Sequence, residues 1–308
     1  MKIQAFEQKN KVWKSFTKTS SLVKKYSSII ELNQDEYAWA WFTVNTRAVY
    51  FKTSNSTQNG LDAHQTDLGD DQENLALAPF LDLFNHSSMA NVEAGLNLQS
   101  KASESFYEIK TNTKYRKYDQ VFINYGPHCN LRLYVEYGFS EERNENDFVP
   151  VTISEVLEIF VLHLNLSPKN SYIEKALKIV QKTKLHENLR IENNGPSWNI
   201  AALFYVMNTV YERMATKTYD ATKKAEWQNV FMIAEFSVFP EISLLLLLLA
   251  KSKLKQLTES VEKMKEIITN ANGRSVSTKS FRMAYYLLKE HHSILESAVR
   301  YLACNNND

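Results

Sequence analysis

The sequence predicts an α+β fold in two parts: a β-rich unit entered through helices over 1–150, and an all-helical unit over 151–308. Three observations carry this. Short β-branched and aromatic runs of alternating polarity begin only at about residue 92 and end before 140. Helical periodicity occupies the chain on both sides of that window. Finally, 308 residues suffice for about two domains, each with its own core.

Residues 1 to about 52 read as helical, with Trp13, Phe16, Leu22, Val23 and Tyr26 set among lysines and serines. The run Tyr37 to Tyr50 has no Gly or Pro and is apolar nearly all round, which predicts a buried helix. Residues 53–74 are polar and turn-rich, the composition of a long loop. Phe106 to Thr111 and Gln120 to Tyr125 read as strands. Gly126-Pro127 breaks the second, and a helix-like stretch from Asn130 to Tyr137 ends at Gly138.

From Val151 the chain reads as helical. Ser167-Pro168 has the form of an N-cap followed by Pro at the first helical position. Gly195-Pro196-Ser197 opens a helix from Trp198 to about Thr216. Ile242 to Ala250 contains six consecutive leucines but is far short of the roughly twenty apolar residues a bilayer span needs, so it predicts a buried core helix. The last two helices carry Leu254, Leu257, Val261, Met264 and Ile268 against Phe281, Ala284, Tyr285, Leu288, Leu295, Val299 and Leu302. With Gly273 between them, they predict a hairpin within the chain.

Lys plus Arg total 36 against 35 Asp plus Glu, a balance that argues against a dedicated nucleic-acid binder. No direct nucleic-acid or membrane partner is expected. Two cysteines, Cys129 and Cys304, exclude a disulfide scaffold and an all-cysteine zinc cluster. They suit a reducing compartment, and the polar first residues do not form a secretory signal, so cytoplasm or nucleus is the expected location. His64 and His128 are isolated, and no metal is expected.

Chemistry-bearing residues fall in three clusters. In Asn45-Thr46-Arg47 a guanidinium on an apolar helix either snorkels or holds an anion, a structural ion pair being equally open. In Leu77 to Ser87, Asp82, Asn85 and His86 interrupt an apolar run, as in a buried turn tied by polar side chains. Tyr125 and Tyr137 each precede a Gly. Such a phenol either points into a cleft or fills a core, while the Gly admits close backbone approach.

Taken together and in order, Trp39 to Tyr50, Leu77 to Ser87, Val121 to His128 and Glu136 to Phe139 resemble the C-terminal part of a SET domain. The subfamily resembled includes the Rubisco large-subunit methyltransferase and the actin-histidine methyltransferase, and Gly195-Pro-Ser-Trp198 resembles a segment of its helical region. The resemblance implies a split, β-rich SET domain with a helical insert over about 1–52, a loop at 53–74 and a C-terminal SET part at 75–140. A helical, substrate-binding-like domain would follow over 151–308. It also implies S-adenosyl-L-methionine as cofactor and a protein substrate, a histone or another lysine-bearing protein. By the same resemblance Asn85 contacts the methionine end of the cofactor, the backbone at His86 bonds the adenine, and Arg47 lies near the cofactor carboxylate. Tyr125 lines the transfer channel, Tyr137 holds the position commonly taken as catalytic and also touches cofactor, and Phe139 packs against the adenine.

One departure accompanies the match. Family members carry an earlier Gly-x-Gly loop that cradles the cofactor, whereas this sequence has no Gly-x-Gly and its first Gly is Gly60. The expectation is that an N-terminal SET segment is missing. Two functions therefore stand open: a protein-lysine N-methyltransferase, inactive if that loop is indispensable, and a non-catalytic protein-binding module derived from one. A histidine acceptor is a third reading, by subfamily analogy.

Overall fold

A computed structural model describes residues 2–27, 30–50, 75–97, 106–166, 171–218, 230, 233, 239–270 and 278–305. The expected loop at 53–74, the Ser167-Pro168 cap and the Gly273 turn lie outside the described residues. The chain divides into two compact units, Met1–Asn146 and Asp147–Asp308.

In the first unit, α1 (Lys2–Tyr26) packs against α2 (Gln34–Arg47). The side chain of Asn33 caps α2, accepting from the Asp35 and Glu36 amides at 2.8 and 3.2 Å. Tyr37 locks the pair: its hydroxyl meets Ser15 and Thr19 of α1 at 2.7 and 3.1 Å, and its ring meets Phe16 edge-on. The Tyr37–Tyr50 run was expected to be one buried helix, and here the structure differs. The helix ends at Arg47, where Ala48 turns extended, and none of its residues is buried; Trp39 is 72% exposed. A helix that is apolar all round needs covering on every side, and the described elements cover only part of this one.

Ala48–Tyr50 forms β1, paired antiparallel with β2 (Leu75–Leu77). A short 3-10 turn, Leu81–Leu83, leads to β3 (Asn85–His86), which runs parallel to β6 (Phe122–Ile123). Between them β4 (Val92–Asn97) and β5 (Phe106–Thr111) form an antiparallel ladder. The β-rich part is thus three separate two-stranded ladders among the described residues. The run Leu77 to Ser87 is not the buried turn expected: Leu77, Phe80 and Leu83 are largely exposed. His86 alone is buried there, because successive side chains on β3 point to opposite faces. The helix-like stretch is a turn of α-helix, α3 (Asn130–Arg132), continued by a wider π-helical turn, Leu133–Tyr137.

The second unit holds α4 (Ile153–His163), α5 (Ser171–Thr183), α6 (Trp198–Ala215), α7 (Pro240–Asn270) and α8 (Thr278–Asn305). It is not all-helical. β7 (Val149–Pro150), β8 (Arg190–Glu192) and β9 (Gly195–Pro196) form a small antiparallel sheet. Gly195 has φ +109°, a backbone conformation open to glycine, where the chain comes out of the β8–β9 turn and starts β9. The leucine run behaves as expected: Leu245, Leu246, Leu247 and Leu249 are buried with Phe204, Met207, Ile191 and Leu295 in one core. Helices α7 and α8 pack along each other, with Thr258 and His292 in hydrogen-bond contact at 3.1 Å. Among the described residues, no helix is long and apolar enough to cross a membrane, and no group of three His, Cys, Asp or Glu is placed to hold a metal ion.

A capping box starts α4: the Glu155 amide donates to the Thr152 hydroxyl, and the Glu155 carboxylate accepts from the Thr152 amide at 2.7 Å. The same carboxylate takes Lys253 of α7 at 2.7 Å. Burial pushes its pKa up, but Lys253 and the Thr152 donors outweigh that, and the net direction is down. A depressed carboxylate stabilises the fold fully above its unfolded value of about 4.3 and loses that contribution as pH falls through the folded value. Urea titration should therefore show Thr152→Ala costing about 1 kcal/mol at neutral pH. The deficit of Glu155→Gln should shrink as pH falls below about 4.3; a deficit constant from pH 7 to pH 3 would refute the carboxylate's role.

Candidate functional site

Three segments distant in sequence meet in the first unit. Arg47, the last residue of α2, pairs with Asp82 of the 3-10 turn, fastening helix to turn across 35 residues. Its anion is therefore a partner within the chain. The guanidinium side chain is 57% exposed, so this pair contributes little to stability and leaves donors of its planar fork unused.

Tyr125 lies two residues past the end of β6 and is tied twice. Its hydroxyl donates to the Phe84 carbonyl at 2.8 Å, and its amide donates to Nδ1 of His86 at 3.1 Å. Gly126, at φ +126°, turns the chain so sharply that a Cβ there would meet the His128 ring at 3.1 Å. Tyr137 is the last residue of the π-helical turn, which stops because Gly138 adopts the left-handed conformation at φ +81°. Both Tyr-Gly steps thus aim a phenol through backbone that favours glycine.

The rings gather. Tyr125 lies 5.2 Å from Tyr137 and 5.1 Å from His86, centroid to centroid. Phe139 approaches His86 at 5.9 Å and Tyr137 at 6.2 Å. His128 stacks on Tyr137 at 6.1 Å. Burial raises both tyrosine pKa values, with Asp82 adding to the effect at Tyr125 and Glu136 at Tyr137. Both phenols therefore stay protonated at neutral pH. Burial lowers the pKa of His128, helped by Arg132.

Behind the tyrosines, His86 accepts at Nδ1, so the proton of the neutral ring sits on Nε2. That atom is buried without a hydrogen bond, 3.6 Å from the Glu141 carboxylate. Glu141 is itself held by the Ser88 amide at 3.0 Å and the Ser87 hydroxyl at 3.2 Å. Asn130, fully buried, clasps the Glu141 backbone: its Nδ2 donates to the Glu141 carbonyl and its Oδ1 accepts from the Glu141 amide. Asn144 joins by donating to the His128 carbonyl at 2.8 Å. None of Glu141, Asn130 and Asn144 stood out in the sequence, because three polar residues spread over fifteen positions show no period or motif spacing.

Burial lowers the pKa of His86, against the upward pull of Glu141. The neutral ring is stabilising above the unfolded value of about 6.5, and that contribution is lost as pH falls through the lower folded value. Stability followed by near-ultraviolet circular dichroism should therefore drop below about pH 6.5, and His86→Asn should flatten that drop. An unchanged acid limb in the variant would refute this assignment.

A cleft of about 750 Å³ opens on this cluster, within the roughly 300–1,000 Å³ usual for ligand sites. Its walls come from α1, α2, β4, β5 and the two tyrosine segments. Of the residues singled out in the sequence, Arg47, Tyr125 and Tyr137 are on the wall. His86 and Phe139 lie behind it against the tyrosines, and the Asn85 side chain is exposed on β3. Asp82 and His128, given no ligand role from sequence, also line the cleft.

No protein-family model matches the chain. SET domain-containing protein 4 of Artemia parthenogenetica is 36% identical over 194 residues, covering 61% of this chain and 43% of that protein. Ribosomal lysine N-methyltransferase set11 of Schizosaccharomyces pombe is 33% identical over 124 residues, covering 40% of this chain and 27% of that protein. The structure of Rubisco LSMT bound to sinefungin and monomethyllysine matches with a TM-score of 0.56 at 13% identity, over 98% of this chain and 63% of that one. That likeness extends the resemblance in fold over nearly the whole chain, which spans under half the length of the curated relatives it matches.

Proposed function

We propose, from the premise that this chain belongs to the SET-domain family in the group of the Rubisco large-subunit methyltransferase and SET domain-containing protein 4, that it acts as a protein-lysine N-methyltransferase using S-adenosyl-L-methionine. The substrate would be a histone or another lysine-bearing protein, in cytoplasm or nucleus. The observation that carries this reading is the convergence of Tyr125 and Tyr137, 5.2 Å apart, on the wall of a ligand-sized cleft.

The residues present fit the cofactor's chemistry. The cleft offers a guanidinium with unused donors at Arg47 and aromatic faces at Trp41, Tyr107 and Tyr137. Arg47 would hold the carboxylate; the family resemblance assigns the methionine and adenine portions to Asn85, the His86 backbone and Phe139, which border the cleft and do not line it. When bound, S-adenosyl-L-methionine supplies an electrophilic methyl group on a sulfonium.

The chain's own residues prepare the acceptor. Lysine must arrive as a neutral amine although its free pKa is about 10.4. Half-buried aromatic walls disfavour the ammonium by desolvation. The phenols, kept protonated by burial, are orienting groups and not bases. Because the Tyr125 hydroxyl gives its proton to the Phe84 carbonyl, its oxygen is left as an acceptor toward an amine or a polarised methyl group. Fixing such an acceptor before the amine arrives is how position contributes to rate.

The test is calorimetric titration with S-adenosylhomocysteine, with Asn85→Ala as control, followed by transfer of labelled methyl to core histones and ribosomal proteins. Saturable binding lost in the control, with label recovered as methyl-lysine, is expected. A folded, monodisperse chain that neither binds nor transfers would overturn the reading in favour of a protein-binding module. Label on histidine would overturn the choice of acceptor.

A further inference from the structure

Charge in this protein is segregated. Helix α1 holds seven lysines against one glutamate, an excess of six in a chain whose total excess is one, so the remaining residues carry a deficit of five. The excess is also ordered. At 100° per residue, Lys11, Lys14, Lys18 and Lys25 fall within one outward stripe about 60° wide. On the inward face lie Val12, Ser15, Phe16 and Thr19, which are buried or half-buried. The four lysines are exposed, and among the described residues none has a carboxylate partner; Lys25 lies over the ring of Tyr26. The stripe extends about 21 Å along the helix. One end has a definite place, because Lys11 is part of the wall of the cleft that holds Tyr125 and Tyr137.

We infer that α1 is the docking ridge for an acidic segment of the acceptor protein, one that flanks the lysine delivered to the cleft. This rests on the methyltransferase reading and adds a substrate class to it: lysines followed or preceded by a run of Asp and Glu. Four unpaired ammonium groups in line attract an anionic chain by long-range charge, and a ridge starting at the cleft wall favours peptides whose acidic run begins close to the acceptor. A polypeptide is favoured over a nucleic acid for two reasons. All seven cations are lysines, with no arginine fork for bidentate phosphate recognition. The net charge of the whole chain also gives no general attraction to a polyphosphate. Over a short, exposed stripe the pairing is screened by salt, which makes it a device for selection and on-rate more than for tight binding.

The experiment is fluorescence anisotropy on the full chain with no methyl donor present. The probe is a labelled peptide carrying one lysine beside a run of Asp and Glu, compared with the same peptide bearing Asn and Gln instead. The acidic peptide should bind about tenfold tighter at low salt, and the difference should fade with added sodium chloride. The triple variant Lys14→Glu, Lys18→Glu, Lys25→Glu should lose that preference, while the triple Arg variant keeps it; circular dichroism of both controls for folding. Equal affinity for the two peptides, or no loss in the Glu variant, overturns the inference. So does tighter binding of a single-stranded oligonucleotide or of phosphatidylserine vesicles. Acidic-peptide binding without any methyl transfer retains the ridge and sinks the activity, whereas equal transfer to acidic- and neutral-flanked lysines retains the activity and sinks the ridge.

Discussion

On the methyltransferase reading, Tyr137→Phe should lower methyl transfer about a hundredfold, the size expected when one positioned hydrogen-bonding group is removed from a reacting centre. Affinity for S-adenosylhomocysteine should change by less than about threefold, because the ring remains to fill the site. The substitution deletes one oxygen and keeps the stacking with His128 and the approach to Tyr125. A loss of rate without a loss of binding therefore reports the phenol and not the packing. Tyr125→Phe should cost rate and affinity together, since its hydroxyl also anchors the chain to the Phe84 carbonyl. Below pH 9 neither rate should show a phenol ionising, because burial raises both values above the ordinary one of about 10. Transfer by Tyr137→Phe within about threefold of the parent would remove Tyr137 from the chemistry and leave it as an aromatic wall.

Local signals made part of this site legible. Each Tyr-Gly step encodes its own geometry: the glycine takes the positive φ that turns the phenol, at +126° for Gly126 and +81° for Gly138. Arg47 at the end of an apolar helix left snorkelling and an anion partner both open, and the choice of Asp82 depends on the 3-10 turn arriving from 35 residues away. Residue type alone does not encode such an arrival. Burial of α2 is not legible for a related reason: apolar composition states a need for cover, and neighbours decide whether it is met, which leaves Trp39 exposed. The β7-β8-β9 sheet was invisible because strands of two or three residues are too short to show a period. In contrast, the core helix around Leu245 and Leu249 was legible, since nine consecutive non-charged residues bounded by Pro240-Glu241 and Lys251 leave few alternatives.

The least legible part of the site carries the second large effect. Asn130→Ala is expected to destabilise the first unit by about 3 kcal/mol, because it orphans both the amide and the carbonyl of Glu141, each worth about 1–3 kcal/mol when left unpaired away from water. Asn130 holds those two groups at 2.9 and 2.8 Å, much as a neighbouring strand would, and is itself fully buried. Losing it releases more than two bonds. The Glu141 carboxylate holds the Ser87-Ser88 turn just after His86 and faces the His86 ring. His86 in turn accepts the Tyr125 amide. The chain of contacts thus runs from an asparagine to the acceptor tyrosine without a covalent shortcut. Asn144→Ala should cost about as much, since Asn144 also holds two backbone groups, the His128 carbonyl at 2.8 Å and the Asn146 amide at 2.9 Å. Urea unfolding followed by circular dichroism reads both costs. If Asn130→Ala unfolds within about 0.5 kcal/mol of the parent, Glu141 is held by its other contacts and the clasp is incidental. If it is destabilised as expected but binds S-adenosylhomocysteine unchanged, the clasp serves the fold alone, and the tyrosines are positioned by the glycines at 126 and 138.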